Sequence, residues 1–278
     1  MTAALAPVLS ARPGLSLFQA TLPMTRVQPR ARLHSSALLR FLSEKGLVDA
    51  AVAPGEVGQQ LADWLDFRHA IALQAFIGTV DDPEAPPAQA KARVDATVLR
   101  QRFGQVRVAL EQSIVQGTVP APGMPRIEMP SPELEQPIDP KTAFDPFRRF
   151  CVGHQRQMDS IIRSLRGQLR GMLDKGTTPH KQLATLDAIF ENVLIEREAR
   201  LLGHIPSDFE KRFAKALKQH MKQLTEAAQA DEPAPRSETW LGPLCDDMRT
   251  ALLAELDLRL QPLLGLIEAL SANTLQQQ

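Results

Sequence analysis

Tyrosine is absent from this chain of 278 residues, and tryptophan and cysteine each occur only twice. Two cysteines, Cys151 and Cys245, cannot build the disulfide framework of a small secreted domain, so a reducing compartment is expected. Runs of valine, isoleucine and threonine are rare, which leaves little material for β-strands. Leucine and alanine are abundant instead, and the composition therefore predicts a helical protein.

A long uninterrupted apolar run is also missing. The most apolar stretch, residues 251–270, contains the charged residues Glu255, Asp257, Arg259 and Glu268. A membrane-spanning helix needs about 20 predominantly apolar residues, so this stretch does not read as a span. Pro7 and Arg12 interrupt the N-terminus before the apolar core of a secretory signal is complete. We therefore predict a cytoplasmic protein.

Signatures of common enzyme sites are missing as well. The sequence contains no glycine-rich phosphate loop, no G-x-S-x-G nucleophile elbow and no C-x-x-C pair. We predict that the protein is not an enzyme and that it holds neither a cofactor nor a metal ion.

Apolar residues recur at helical spacing through most of the chain. Seven helices are predicted, and they span about 36–45, 56–77, 87–116, 146–175, 179–202, 208–229 and 238–271. Gly46 and Gly176 are placed to end two of them, while Thr178 and the Ser207–Glu210 capping box are placed to open helices five and six. Short loops between helices four, five and six predict antiparallel neighbours.

Residues 119–146 contain eight prolines, which exclude regular structure through most of this stretch. It is either a linker between two domains or an extended strap docked on both halves. The side chains available for docking are Ile127, Met129, Leu134 and Ile138. We place the domain boundary in this stretch.

The predicted fold is all-α, with two helical regions joined by the proline-rich connection. Its parts are a disordered arm (1–30), a three-helix N-terminal unit (31–118), the connection (119–146) and an antiparallel bundle of long helices (147–275). The arm is predicted because it carries four prolines and little periodicity.

Basic residues recur along one side of helices four and six. On helix four they are Arg149, Arg156, Arg163 and Arg170, opposite an apolar seam of Phe147, Cys151, His154, Met158, Ile161, Leu165, Leu169 and Met172. On helix six they are Lys211, Lys215, Lys218 and Lys222, opposite Phe209, Phe213, Leu217, His220 and Leu224. We call the eight basic residues the basic face. A solvated back of the bundle is favoured over phosphate binding, because the net charge is zero and no aromatic residues interleave.

Charge is nevertheless uneven along the chain. Residues 141–230 carry an excess of six positive charges, and residues 231–278 carry an excess of five negative charges. The two segments are expected to attract each other, either within one chain or between two.

Two groups of side chains invite a metal-site interpretation. Cys151 and His154 lie three apart on one helix face, which suits two zinc ligands, but no second pair completes the site. A buried cysteine and a hydrogen-bonded core histidine are favoured. Glu191, Glu196 and Glu198 lack the Glu-x-x-His partner of helical carboxylate sites, so helix stabilisation is favoured.

Three further residues border the same helices. Asp187 lies at the edge of the apolar face of helix five, where a buried pair with a neighbouring helix is favoured over chemistry. Gly167 and Gly171 lie inside helix four, where glycine costs roughly 1 kcal/mol relative to alanine. Close packing of another helix is expected at these glycines.

Several motifs resemble an uncharacterised proteobacterial family, a domain of unknown function, over most of residues 34–225. They include Leu61–Asp66, Gln157-Met158-Asp159, Leu183–Asp187 and Glu196-Arg197-Glu198. The family brings no catalytic residues to this chain. Its members tend to be encoded beside proteins that resemble stator-type proton channels and OmpA-like envelope proteins. The resemblance implies a cytoplasmic accessory to an inner-membrane assembly.

Long apolar helix faces without site chemistry beside them, especially those of helices four and seven, predict a non-enzymatic interaction or scaffold protein that offers these faces to a partner. Its partner is either another protein, with a membrane complex implied by the resemblance, or a second copy of the chain. The alternative function is binding of nucleic acid or an anionic surface through the basic face. Nucleic acid is disfavoured as a partner, and an enzyme ranks third.

Overall fold

The computed structural model describes residues 36–47, 64–80, 96–134, 137–230 and 238–275. Within those ranges the chain forms helices and no strand, which confirms the all-α fold class. The helices are α1 (Ala37–Glu44), α2 (Phe67–Val80), α3 (Ala96–Gln116), α4 (Asp145–Leu173), α5 (Thr178–Gly203), α6 (Ile205–Ala230) and α7 (Glu238–Leu275). The predicted arm over 1–30 and the predicted first turns of helices two and three lie outside the described residues.

The beginning of α5 is set by a local cap. Thr177 is the N-cap residue, one position before the predicted Thr178, and its backbone N–H donates to His180 Nδ1 at 3.3 Å. Pro179 lies in the first turn, where its missing N–H has no helical acceptor to lose. The cap therefore satisfies a donor that would otherwise be left open at the helix start.

The beginning of α6 differs from the prediction. The helix starts at Ile205, directly after His204, so the predicted capping box at Ser207–Glu210 lies inside it. The Asp208 N–H donates to the His204 carbonyl at 3.1 Å. Pro206 is tolerated because it occupies the first turn. A single residue, rather than a loop, thus separates α5 from α6.

The centre of the bundle is α7. Helices α1, α3, α4 and α6 all pack against it. Its most deeply buried side chains are Leu241, Met248, Ala251, Leu252, Glu255, Leu263 and Ile267. Its leucine-rich surface is therefore covered from several sides by helices of the same chain, rather than left open for a partner as predicted. No helix in the described ranges, α7 included, combines the length and the hydropathy that a bilayer crossing requires.

The predicted seam of α4 is buried against helices of the same chain. Six of its eight residues are buried, and Ile161 and Met172 are partly buried against the same core. Helices α3, α5, α6 and α7 pack on α4. The 3.6-residue periodicity therefore located the buried side correctly. The expected close helix packing at Gly167 and Gly171 is wrong, since a Cβ at either position would meet nothing within 4 Å.

The helices of the N-terminal half pack on those of the C-terminal half. α1 contacts α7, α3 contacts α7 and α4, and α2 contacts α5. The wide apolar surface of α7 thus packs against helices from both halves of the chain. The domain boundaries themselves stay a prediction.

The proline-rich connection lies along this core. Ile127, Met129, Leu134 and Ile138 are partly buried against it. A Cβ on Gly153 of α4 would come within 2.8 Å of Ile127 Cδ1, so the strap and the helix approach closely at that point. Gln157 of α4 donates from Nε2 to the Pro125 carbonyl at 2.6 Å. Residues 125–138 therefore contact the core as an extended strap would.

Candidate functional site

The arginines of the basic face occupy two environments. Arg149 and Arg156 are exposed, and Arg163 forms an exposed ion pair with Asp159 at 2.7 Å. Arg170, in contrast, is largely buried and forms an ion pair with Glu191 of α5. The prediction that Arg170 belongs to the solvated back of the bundle is wrong. A heptad spacing drifts by about 20° per repeat on a 3.6-residue helix, so three repeats carry Arg170 about 60° towards α5.

Four charged side chains join α4 to α5, and we call them the α4–α5 ion cluster: Arg166, Arg170, Asp187 and Glu191. Arg166 donates to Asp187 from Nε at 2.9 Å and from Nη2 at 2.6 Å, a bidentate pair. Arg170 Nε lies 3.6 Å from Asp187 Oδ2, and Arg166 Nη1 lies 3.7 Å from Glu191 Oε1. The spacing of four residues on both helices places the two pairs side by side.

The ion cluster confirms one prediction and corrects another. Asp187 forms the buried pair with a neighbouring helix that its position indicated. Glu191 was predicted only to stabilise its own helix, but it binds Arg170 across the interface. Burial is the largest influence on the pKa of Arg166 and lowers it; the hydrogen bond and charge of Asp187, with the charge of Glu191, outweigh burial and raise that pKa.

Apolar burial on α5 is small for a helix of its length. Val193 and Leu202 are buried, whereas Leu183, Leu186, Phe190 and Leu194 are only partly covered. Leu201 is 66% exposed. The helix is held to α4 largely through charged side chains, which do not require a continuous apolar stripe.

A second buried network centres on Glu255 of α7, whose exposed fraction is 0%. Gln155 donates to Glu255 Oε2 and Arg259 donates to Glu255 Oε1, both at 2.9 Å. Arg259 also pairs with Glu198 of α5 at 3.2 Å. Burial raises the pKa of Glu255, and the charge of Arg259 offsets only part of that effect. From the sequence, Glu255 was considered only as a charge that interrupts an apolar stretch. The signal for a buried ion pair was Arg259, four residues later on the same helix.

Cys151 and His154 lie inside the core. Burial, together with the charge of Glu255, raises the pKa of Cys151 to about 12, and both cysteines are free thiols. Burial lowers the pKa of His154 to about 4, and its ring packs edge-on against Phe150 at 4.6 Å. His154 is thus a core histidine. Its Nε2 has no hydrogen-bond partner among the residues that the structure describes, so the expectation of a hydrogen-bonded ring is wrong at that atom. The described residues contain no group of three or more potential metal ligands.

The lysines of the basic face lie on the exposed side of α6. Lys211, Lys215, Lys218 and Lys222 are exposed, while Phe209, Phe213, Leu217 and His220 are buried on the opposite side, as predicted. Lys211 pairs with Asp208 at 2.8 Å, and Lys222 pairs with Glu226 at 3.5 Å. These are exposed pairs, which contribute little to stability.

Attraction between the basic and acidic segments occurs within the chain. Arg212 of α6 binds Asp247 of α7 at 2.7 Å. Lys45, at the end of α1, binds the other oxygen of the same carboxylate at 2.8 Å. Gly46 follows Lys45 with a φ of +63°, as the predicted C-cap of α1, and Leu47 N–H closes the turn on the Leu42 carbonyl at 2.8 Å. A pocket opens between this turn and α6, with Lys211 and Lys215 on its wall.

The largest exposed apolar side chains of α2 share one side of that helix. Phe67 is 81% exposed, and Ile71 and Ile77 are each 53% exposed. The other residues on that side are Ala70, Gln74, Ala75 and Gly78, and all of them are exposed. We call these seven residues the α2 face. It contains no charged residue, although it lies at the surface of the structure.

Comparison with known proteins assigns the chain to a family. Residues 24–272 match the family described as a protein of unknown function (DUF3348). No curated protein and no solved structure matches the chain. The family match covers every described helix except the last few residues of α7. The chain therefore belongs to this family of proteins of unknown function, DUF3348.

Proposed function

We propose that this protein is a non-enzymatic interaction protein that binds a partner protein through the α2 face. The observation that carries the proposal is the exposure of Phe67, Ile71 and Ile77 on a helix that has no charged residue after Arg68. A contiguous apolar patch at the surface of a soluble protein marks an interaction site. α2 packs on α5 along one side, and the α2 face stays exposed to solvent, where a partner protein would cover it.

The chemistry of the α2 face suits an apolar helix or groove of the partner. Phe67 and Ile71 are four residues apart, so they project together as a pair of anchors. Alanine and glycine between the larger side chains let another helix approach closely. Aromatic residues such as Phe67 are enriched at the cores of protein interfaces.

We place this activity in the cytoplasm, as an accessory to an inner-membrane assembly. The support for that placement is the resemblance of the motifs to a family encoded beside stator-like and OmpA-like proteins. Two free, buried cysteines fit a reducing compartment.

Site-specific photocrosslinking in the native cell tests the proposal. A benzophenone amino acid at Phe67 is expected to give a covalent adduct with a second protein. The matched control is the same amino acid at Val98 of α3, which is 57% exposed but lies away from α2, and which should give none. An adduct of twice the chain mass identifies a second copy as the partner. Equal labelling at both positions, or none at Phe67, contradicts the proposal.

Binding of nucleic acid or an anionic surface through the basic face is the second candidate. It is favoured by the exposure of Lys211, Lys215 and Lys218 on one side of α6. It loses support at Arg163 and Arg170, whose charges are compensated by Asp159 and Glu191. A gel-shift assay at low salt tests it, since phosphate-driven binding is strongest there. Absence of retardation at low salt removes this candidate.

A further inference from the structure

A pocket of about 640 Å³ lies between the turn that ends α1 and the first half of α6. We call it the α1–α6 pocket. Its polar lining residues are Lys45, Asp208, Lys211, Arg212, Lys215 and Gln219. Leu47 and Ala216 supply an apolar part of the wall. Small-molecule binding sites in proteins usually have volumes of roughly 300 to 1,000 Å³.

Positive charge exceeds negative charge in this pocket. Lys45 and Arg212 share one carboxylate, that of Asp247, at 2.8 and 2.7 Å. Asp208 compensates Lys211 at 2.8 Å. Lys215 has no ion-pair partner within the described part of the chain. Four cationic side chains therefore face two carboxylates, and two positive charges are left uncompensated.

One hydrogen-bond donor at the wall also lacks an acceptor. Arg212 Nη1 is buried and has no partner among the residues that the structure describes. A buried guanidinium donor without an acceptor is unfavourable.

We propose that the α1–α6 pocket binds a phosphate monoester, with Lys211, Arg212 and Lys215 around the phosphate group. A phosphate monoester carries close to two negative charges at neutral pH, which matches the uncompensated charge of the pocket. Arginine and lysine together are the side chains that bind phosphate oxygens in proteins. The volume exceeds that of a bare phosphate ion, so the organic part of the ester lies against Leu47 and Ala216. This site is independent of the α2 face.

The source of the phosphate group is either a soluble metabolite or a lipid headgroup. Isothermal titration calorimetry of the full chain with ribose 5-phosphate and adenosine 5′-monophosphate tests the first source. Co-sedimentation with vesicles that contain phosphatidic acid, compared with phosphatidylcholine vesicles, tests the second. Binding in either arm supports the site and names the source. No binding of either soluble ester at millimolar concentration, together with equal sedimentation with both vesicles, overturns the proposal.

Two lysines of α6 supply a matched pair of variants. Lys215→Gln removes a pocket cation that has no described ion-pair partner, and a loss of affinity of about tenfold is expected from one charge-assisted hydrogen bond. Lys218→Gln makes the same change of charge on the same helix, outside the pocket, and less than a twofold change is expected. Equal losses in the two variants show nonspecific attraction and overturn the pocket. Circular dichroism confirms that both variants keep the fold, and Lys211→Gln provides a second pocket variant.

Discussion

Helix α4 packs against α7 mainly through apolar side chains and against α5 largely through charged ones. On the side towards the core it contributes Phe147, Met158 and Leu169, which are almost fully buried. Towards α5 it offers Arg166 and Arg170. The two interfaces are built on neighbouring sides of one helix, yet they depend on different forces.

The α4–α7 interface contributes mainly stability, whereas the α4–α5 interface fixes the position of a helix. Apolar burial is non-directional and contributes roughly 25 cal/mol per Å², so the α4–α7 contact supplies stability without a strict register. A bidentate Arg–Asp pair has a fixed geometry, and its attraction is largely offset by the cost of desolvating both partners. The α4–α5 ion cluster therefore sets the position of α5 more than it adds to stability. Since α2 packs on α5, the ion cluster also positions the α2 face.

The largest expected effect comes from the apolar side. Leu252→Ala on α7 should lower the free energy of unfolding by about 4 kcal/mol, because it removes a fully buried side chain and leaves a cavity. Urea denaturation at low and high salt measures it, and the loss should be the same at both. Leu258→Ala, at an exposed position of the same helix, is the matched control and should cost little. A loss below 1 kcal/mol at Leu252 would contradict the assignment of α7 as the centre of the core.

The second-largest expected effect is a loss of stability at low pH, and it comes from His154 on the core-facing side of α4. Because burial lowers the pKa of His154 from 6.5 to about 4, the unfolded chain binds a proton more readily than the folded one between those values. Stability contributed by neutral His154 is therefore present above about pH 6.5 and is lost as the pH falls towards 4, by about 3 kcal/mol in total.

His154→Leu is expected to remove that part of the pH dependence. Urea denaturation of both proteins at pH 7 and pH 4.5 measures the difference between their pH dependences. The raised pKa of Glu255 acts in the opposite direction, because protonation of that carboxyl favours the folded state as the pH falls. Glu255 is present in both proteins, so the comparison isolates His154. Identical pH dependence would show that the ring reaches water.

The smallest expected effect comes from the ionic side. Asp187→Ala should cost about 2 kcal/mol, because Arg166 loses its bidentate partner in a mostly buried site. The cost stays below the roughly 3–5 kcal/mol of a fully buried pair, since Glu191 still lies 3.7 Å from Arg166 Nη1. Replacing both, as Arg166→Met with Asp187→Leu, should restore stability to within about 1 kcal/mol of the wild type. Glu226→Ala breaks an exposed ion pair on α6 and serves as the control, with a loss of about 0.5 kcal/mol or less. If the double variant is as unstable as Asp187→Ala, the ion cluster contributes stability and the contrast between the two interfaces fails.

Much of the helical framework was predictable from local signals. The seam of α4 from Phe147 to Leu169 follows from apolar spacing, and the end of α1 follows from Gly46. Local signals failed where a distant element decided the outcome. Arg170 repeats the heptad of Arg149, but α5 packs on α4 beside Arg170, so the same residue type is exposed at one end and largely covered at the other.

The candidate sites were less predictable than the helices. Asp187 was expected to have a partner on another helix, but nothing in the sequence singles out Arg166 among many arginines. Glu255 is a buried acid on a leucine-rich helix, and its stabilising groups, Gln155 and Arg259, come from two helices. The α1–α6 pocket joins Lys45 to residues more than 160 positions later.

The sequence by itself determined that this protein is helical, where most of its helices run and which side of α4 is buried. Periodicity and helix caps act over a few residues, so they can be read directly from the order of amino acids. Only the tertiary structure decided which charges are compensated and which apolar face is left uncovered. Those outcomes depend on how helices far apart in sequence pack together, because the environment of a side chain is set by the helix that packs against it.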